Sequence, residues 1–471
     1  MKYCRELELT GRIIFPENQQ YDSARREWNS RFDKFPLVIV FAQETQDVVN
    51  AVRWARYWDV PIRMRSGRHH YEGLSAVNNG IVIDVSEMNQ VLVDHRSGLA
   101  TVQTGARNFE LYQALGSEGL VVPGGVCPTT GIAGVTLGGG HSMLARPLGL
   151  TLDHLMELEM VDADGCILHA NSRRHPDLLW ASRGGGGGNF GICTSFRFRT
   201  HDIDTVGFVE IGWDLSDLEP VLRTWQCYTA PDADERLTPT LFITAGLPTA
   251  QPESPNQQSP EVFPLTMQGV FLGSEAKLRY LLQPLLRAGS PRKVTIQEIP
   301  WLEAVDRLTV SQPTSPMPFK STDSFIHGWL PEAAIHTIRS FIDTPPTSSV
   351  TVLFHGLGGA VSKVPNCATA YFYRQAWSKI AIWSTWNSPE GEIPGIQWEE
   401  KFRQAMLPFT WGVYVNSPNL CINNWPQAYY GYNFPRLTQI KACYDPENVF
   451  KFPQSIPPSP ECQRTTAIKV N

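Results

Sequence analysis

No segment of this chain approaches the roughly 18 consecutive apolar residues that a membrane-spanning helix needs. The N-terminal stretch "MKYCRELELTGRIIFPEN" carries charges where a secretory leader has its unbroken apolar core, so the expectation is a cytoplasmic protein with no membrane partner. Basic runs are missing too. The 40 Lys and Arg are scattered among 46 Asp and Glu, the net charge is -6, and nucleic acid finds no electrostatic footprint. There is no CxxC pair and no HExxH, which argues against a zinc site and leaves no metal expected. The cysteines, 9 in all and spread along the chain, fit neither a secreted disulfide scaffold nor a redox pair; most are expected to be small buried hydrophobes. Repeats with a period of roughly 20–50 residues are absent, which excludes solenoids and propellers.

What is present is a chain of 471 residues, 42% hydrophobic and 18% charged, with 14 Trp and 22 Phe. It is too apolar for disorder and long enough for two lobes. From Pro36 to about Thr200, strand-like runs such as "LVIVFA", "PIRMRSG", "GIVIDVSEM" and "SFRFRT" alternate with helical stretches such as "TQDVVNAVRWARYWDV". After about Asp202 the strands lengthen: "FVEIGWDL", "TLFITAGL", "FPLTMQGVFLG", "SSVTVLFHGLGGA" and "SKIAIWSTW", interrupted by helical "SEAKLRYLLQPLLRAG" and "PEAAIHTIRSFI". The polar, Pro-rich "GLPTAQPESPNQQSPEVFP" between two of these strands reads as a long surface loop. Past Trp411 the chain is aromatic and irregular, ending in one helix, "NFPRLTQIKACY". The fold class is therefore α+β, with an antiparallel sheet flanked by helices in the second lobe.

Three features carry chemistry. The glycine clusters "RGGGGGN" (183–189) and "TLGGGHS" lack the strand before and helix after that a dinucleotide fingerprint requires; each fits a tight turn as well as a cofactor loop, and two together favour a large phosphorylated cofactor. The adjacent His69 and His70 in "RMRSGRHHYEGL" would point to opposite faces of an extended segment, which disfavours joint metal chelation. Cys127, in "VVPGGVCPTTGIAGVTLGGGHS", is oddly placed for a packing residue and open to a nucleophilic role.

Four ordered stretches, "RSGRHHYEGLS", "GGVCPTTGIAG", "DLLWASRGGGGGNFGICTSFRF" and "YYGYNFPRLTQIKACYDPENVFKFPQSIPP", resemble the berberine bridge enzyme-like branch of the FAD-linked oxidases, in the superfamily of vanillyl-alcohol oxidase and p-cresol methylhydroxylase. The likeness runs from about Phe15 to Pro458 and is weakest between about 210 and 340. It implies a PCMH-type FAD-binding domain over 1–205 (core about 32–202), a substrate domain over 206–410, and a segment 411–471 that returns to the FAD domain. It also implies a flavin attached twice, through His69 to the 8α-methyl carbon and through Cys127 to C6, with His70 a neighbour. Arg65, Ser66, Gly67, Arg68 and His70 then form the turn whose backbone N–H groups hold the pyrophosphate, while Thr130, Gly131, Gly134, Gly191, Ile192 and Asn433 sit in the motifs lining the rest of the cofactor.

The chain departs from that pattern in places. Arg68 replaces a glycine, so a positive φ becomes costly and a cation is expected near phosphate. Ala133 and Thr136 alter the usual run, and His141 stands where a Tyr is common, putting an imidazole able to move protons at the active site. Thr130 takes the place of a Val or Ile that gates oxygen. For catalysis the resemblance assigns Tyr429, in "YYGYN", as the base, with Lys379 near it to favour phenolate. The expected function is an FAD-dependent oxidase of a small-molecule alcohol, of sugar or secondary-metabolite type, with O2 as acceptor and H2O2 as product. A flavin dehydrogenase with another acceptor, and a flavin-loaded binding protein with little turnover, are the alternatives.

Overall fold

Apolar and polar residues alternate in Leu237–Ala245, Ser349–Gly356 and Ser378–Thr385, which sends every second side chain to the same face. The computed structural model, which describes residues 8–246, 263–309, 315–346 and 349–460, uses both faces. Seven antiparallel strands lie side by side in the order Lys293–Pro300, Thr205–Trp213, Leu265–Phe271, Leu237–Ala245, Ser349–Gly356, Ser378–Thr385, Phe319–Ile326. On one face Ile211, Leu241, Val352, Phe354 and Ile380 pack against helices Leu218–Trp225, Glu332–Asp343 and Glu392–Met406. Each such side chain contributes about 1.5–3 kcal/mol by leaving water, and that sum fixes the register. The opposite face then carries a polar row across five strands, because Glu210 pairs with Gln268, Gln268 with Thr240, Thr240 with His355 and His355 with Lys379.

Two of these strands and the helices Leu218–Trp225 and Glu392–Met406 were not expected from the sequence. "FKSTDSFI" (Phe319–Ile326) hides because it is buried along its whole length, and its Lys320 and Asp323 are paired rather than solvated. The edge strand Lys293–Pro300 is half exposed and too polar to stand out. Pro394 and Gly395 read as breakers in "EIPGIQWEEKFRQAM", yet Pro394 lies in the first turn of the helix, where its missing N–H costs nothing. Between 247 and 262 the Pro-rich loop lies outside the described residues.

Among the described residues the first lobe has two main sheets, besides a two-stranded pairing of His201–Asp202 with Leu120–Val121. Strands Val38–Phe41, Ile81–Asp84 and Ile62–Arg65 are parallel, with Arg12–Ile14 antiparallel at the edge, and helix Thr45–Tyr57 covers them through Val48, Ala51, Val52 and Ala55. The other is antiparallel, in the order Val91–Asp94, Leu99–Gln103, Ile192–Arg199, Leu155–Val161, Ile167–Asn171. The C-terminal helix Phe434–Tyr444 returns here: Lys441 Nζ, fully buried, donates to Asp445 at 2.6 Å and to the Asn189 carbonyl at 2.5 Å, at the end of the glycine cluster.

The cysteines correct an expectation. None of the seven described ones forms a disulfide, and only Cys193 is buried; Cys166, Cys227, Cys367, Cys421 and Cys443 are exposed. Cys166, for example, sits in the turn between two antiparallel strands, where nothing covers it. Among the described residues no helix is long and apolar enough to cross a membrane.

A buried charge cluster joins the lobes. Lys320 of the sheet donates to Glu72 of the first lobe and, at 3.0 Å, to Asn419 Oδ1, and Arg31 meets Glu72 at 2.9 Å. Beside it Glu399 is fully buried, neither of its carboxylate oxygens has a partner, and burial pushes its carboxyl up to about 8. The folded chain therefore keeps a proton that the unfolded chain releases above its ordinary 4.5, and Glu399 costs stability increasingly as pH rises from there to about 8. Glu399→Gln is expected to raise the melting temperature by a few degrees at pH 8 and to leave it unchanged near pH 4.5, as scanning calorimetry at the two pH values would show.

Candidate functional site

Strand Ile62–Arg65 ends with its last guanidinium turned into the protein. Arg65 Nε donates to Asp84 at 2.6 Å, Nη1 reaches Glu27 at 3.3 Å, and Nη2 meets the Ala24 carbonyl. With its root fixed, the loop 66–70 crosses the loop 127–131 backbone against backbone. A Cβ on Gly67 would lie 2.2 Å from Gly131 N, and one on Gly131 would lie 2.1 Å from Ser66 Oγ. Glycine at both positions is what permits the crossing. Ser66 Oγ is itself held by the Thr104 carbonyl at 2.8 Å.

The crossing brings His69 and Cys127 to one hydroxyl. His69 Nε2 lies 2.9 Å from Thr129 Oγ1, and Cys127 Sγ lies 3.7 Å from the same atom. Trp28 stacks on the His69 ring, 4.3 Å between centroids and 20° between planes. Burial, aided by the charge of Arg107, pulls His69 down to about 4, so its imidazole is neutral and keeps a nucleophilic lone pair. Asn108 pins the cysteine loop, donating to the Cys127 carbonyl at 2.9 Å and accepting from Gly125 N at 3.1 Å. His70 accepts from Glu72 N at 3.2 Å and is held neutral by burial, at about 3.

Arg68 departs from what the sequence suggested. It adopts φ +63° despite its side chain, at a cost of about 1–2 kcal/mol. Its guanidinium is turned inward: it faces Asp84 Oδ2, the oxygen that Arg65 already holds, at 3.5 Å and the Ser23 carbonyl at 3.3 Å.

Above the crossing opens a cavity of about 1100 Å³ between the first lobe and the polar face of the seven-stranded sheet. The loop 65–70, Cys127, Thr130, Gly131, Gly134, Gly191 and Ile192 line one side; Thr240, Phe242, Thr351, His355, Lys379 and Trp383 line the other. At its inner end Tyr414 Oη accepts from Gly140 N at 2.8 Å and from Asn416 Nδ2 at 3.0 Å. Lys379 Nζ stands 5.0 Å from the centre of the same ring and donates to Asp323 at 3.0 Å, and the other Asp323 oxygen accepts Tyr414 N, also at 3.0 Å. Burial pushes the Tyr414 phenol up while the two donors pull it back. His141 stacks on Tyr414 at 4.0 Å and bonds Tyr371 Oη through Nε2 at 2.9 Å; its Nδ1, like His355 Nε2, has no partner. Burial holds His141 and His355 neutral.

Two expected placements differ from the structure, although Tyr429 does line the cavity. Lys379 lies over Tyr414, whereas Tyr429 is closed into a different set of bonds: its hydroxyl donates to Gln454 Oε1 at 2.8 Å and accepts Asn419 N at 3.0 Å. A phenol whose proton is already given to an amide oxygen is poorly placed to take another. Asn433 does not line the cavity; its Nδ2 donates to the carbonyls of Asn366 and Thr369, at 2.8 and 3.1 Å, and clamps that turn. Tyr414, Asp323 and Thr129 were missed. The usable signal for Tyr414 was local: Asn416, two residues on in "VYVN", holds its oxygen.

The lining suits FAD. Among the described residues, the N–H groups of Ser66–His70 donate to no protein acceptor, a run of donors of the kind that cradles a pyrophosphate. A Cβ at Gly134 would meet nothing within 4 Å, so backbone there faces open space. The volume exceeds the roughly 300–1000 Å³ of ordinary small-molecule sites, leaving room for a substrate beside a cofactor.

Comparison with known proteins agrees with this lining. Residues 36–171 match the FAD binding domain family, and residues 413–457 match the berberine and berberine-like family. The uncharacterized FAD-linked oxidoreductase YgaK of Bacillus subtilis is 41% identical over 96% of this chain and 98% of its own. Among solved structures, Physcomitrella patens BBE-like 1 superposes with a TM-score of 0.86 at 26% identity, covering 95% of this chain and 97% of that one. A chitooligosaccharide oxidase gives 0.83 at 26%, with the same coverage. The paired loops at Gly67 and Gly131 and the C-terminal return are thus this chain's version of a shared scaffold: the protein is an oxidoreductase that belongs to the berberine bridge enzyme-like family of FAD-linked enzymes.

Proposed function

We propose that this protein oxidises a neutral, hydroxyl-bearing alcohol by hydride transfer to N5 of an FAD that His69 and Cys127 hold covalently, with O2 as final acceptor and H2O2 as product. The observation that carries the proton chemistry is the environment of Tyr414. Its oxygen receives two N–H donors and its ring lies near an ammonium, contacts that favour phenolate against the burial that pushes the phenol up. Tyr414 takes the substrate hydroxyl proton, Lys379 stabilises the resulting charge distribution, and Asp323 positions both, one oxygen on each. His141, neutral and stacked on Tyr414, orients that ring and offers an unpartnered Nδ1 to the substrate. Residues 65–70 would hold the pyrophosphate through backbone N–H groups, and Thr130 and Gly131 would lie along the cofactor.

The substrate class follows from the far wall. Thr240, Thr244, Thr266 and Thr351 present hydroxyls, and the charges there are matched, Lys379 with Asp323, Lys293 with Glu210 and Arg307 with Glu303. A wall with hydrogen-bonding capacity and no spare charge favours an uncharged, oxygen-rich molecule. The chitooligosaccharide oxidase similarity points the same way.

Tyr414→Phe is expected to slow anaerobic flavin reduction by about 100-fold or more, the ordinary scale of lost acid–base catalysis, with flavin content unchanged, whereas Tyr429→Phe should stay within a few-fold of wild type. Stopped-flow reduction at 450 nm distinguishes them; equal slowing in both variants would return the role of base to Tyr429. Lys379→Met should move the acid-side limb, where the reduction rate rises with pH, to higher pH, since removing the cation favours the neutral phenol; a limb that stays in place would exclude Lys379 from this role. His69→Ala and Cys127→Ala should each leave flavin on the acid-precipitated protein through the remaining bond, and the double variant should release all of it, as absorbance and peptide mass would show.

A further inference from the structure

Thr129 touches both expected flavin anchors without lining the cavity itself. It stands behind them, and its backbone is fixed by the loop crossing, its carbonyl oxygen lying 2.9 Å from where a Cβ on Gly67 would be. A hydroxyl has one proton to give and lone pairs to receive with. If Nε2–H of His69 donates to Thr129 Oγ1, the imidazole is held in the tautomer whose Nδ1 lone pair is open, and the Thr129 proton is left to point at Cys127 Sγ. Both contacts use the same oxygen, so the two orientations support each other.

We propose that Thr129 is the positioning residue for covalent flavin attachment, one hydroxyl that fixes the His69 tautomer with Nδ1 directed to the 8α carbon and steadies the Cys127 sulfur as it bonds C6. This rests on the bicovalent reading above. Each attachment joins one protein atom to one flavin carbon. The Cys127 S–H proton, or the His69 Nε2 proton as Nδ1 forms its bond, leaves together with one hydrogen of that carbon; in all, two protons and two electrons are lost per bond, and O2 takes them up as H2O2. The Nε2 proton has its exit in place, because Thr129 Oγ1 already lies 2.9 Å away. Neutrality of the buried imidazole supports the same picture.

Wild type, Thr129→Ser, Thr129→Val and Thr129→Ala, each purified as the flavin-loaded protein, are compared by native absorbance at 450 nm, by flavin retained after acid precipitation, and by the masses of the His69 and Cys127 peptides. The expected result is flavin on both peptides in wild type and in Thr129→Ser. In Thr129→Val and Thr129→Ala native absorbance should persist, while the acid-stable share drops several-fold. Retention of both bonds at the wild-type level in either variant would overturn the proposal. So would a loss in Thr129→Ser as deep as in Thr129→Val, which would assign the effect to packing of the methyl group. If Thr129→Val yields no flavin-loaded protein, the contrast between Ser and Ala decides by the same criteria. Wild type with no acid-stable flavin is a separate outcome that removes the bicovalent reading, and this inference with it.

Discussion

The site depends on two glycines that let two loops touch. Gly67 and Gly131 meet at a separation no Cβ tolerates, and from that contact the chain on either side carries His69 and Cys127 to a common hydroxyl. Such close approach is worth little by itself. It holds because the loop 66–70 is rooted in a buried pair, Arg65 with Asp84 and Glu27, whose charges have no water to turn to if the root shifts. Arg68 shows how far the scaffold dictates local conformation: it sits in left-handed space that its own side chain disfavours, held by neighbours on both sides.

The seven-stranded sheet solves a second problem, that of covering a large cavity without filling it. A strand buries alternate residues on opposite faces, so a sheet whose back is paid for by helix packing can spend its front on polar side chains. That front holds the row from Glu210 to Lys379, and its inner end meets Tyr414 from the C-terminal segment. Asp323 is the hinge of this meeting, since one carboxylate orders a side chain of the sheet and the backbone of the returning segment at once. The charge cluster at Lys320, Glu72 and Asn419 does the same for the lobes as whole bodies, drawing one residue from each of the three parts of the chain.

Much of this was legible in the sequence. The change of texture after Asp202 marks the passage from short mixed strands to the long antiparallel ones, because strand length and alternation are local properties. Phe319–Ile326 escaped notice for the opposite reason: Lys320 and Asp323 look like surface residues until their partners, Glu72 and Lys379, are known. The same blindness explains the cysteines, whose burial is decided by what packs over a turn rather than by the residue itself.

The sequence by itself determined the candidate cofactor motifs and their order, since Arg65–His70, Cys127–Gly131 and the glycine cluster are contiguous stretches whose chemistry is written in neighbouring residues. Only the tertiary structure decided which tyrosine faces Lys379 and which hydroxyl meets both His69 and Cys127. Tyr414 and Tyr429 are aromatic residues of one short segment, and along the chain only the nearby Asn416 sets Tyr414 apart. The difference lies in what surrounds each oxygen, two N–H donors for Tyr414 and an amide acceptor for Tyr429, and those groups arrive from residues as distant as Gly140 and Gln454. Proton affinity is set by such through-space neighbours, which is why the fold, more than the local sequence, distinguishes the two phenols.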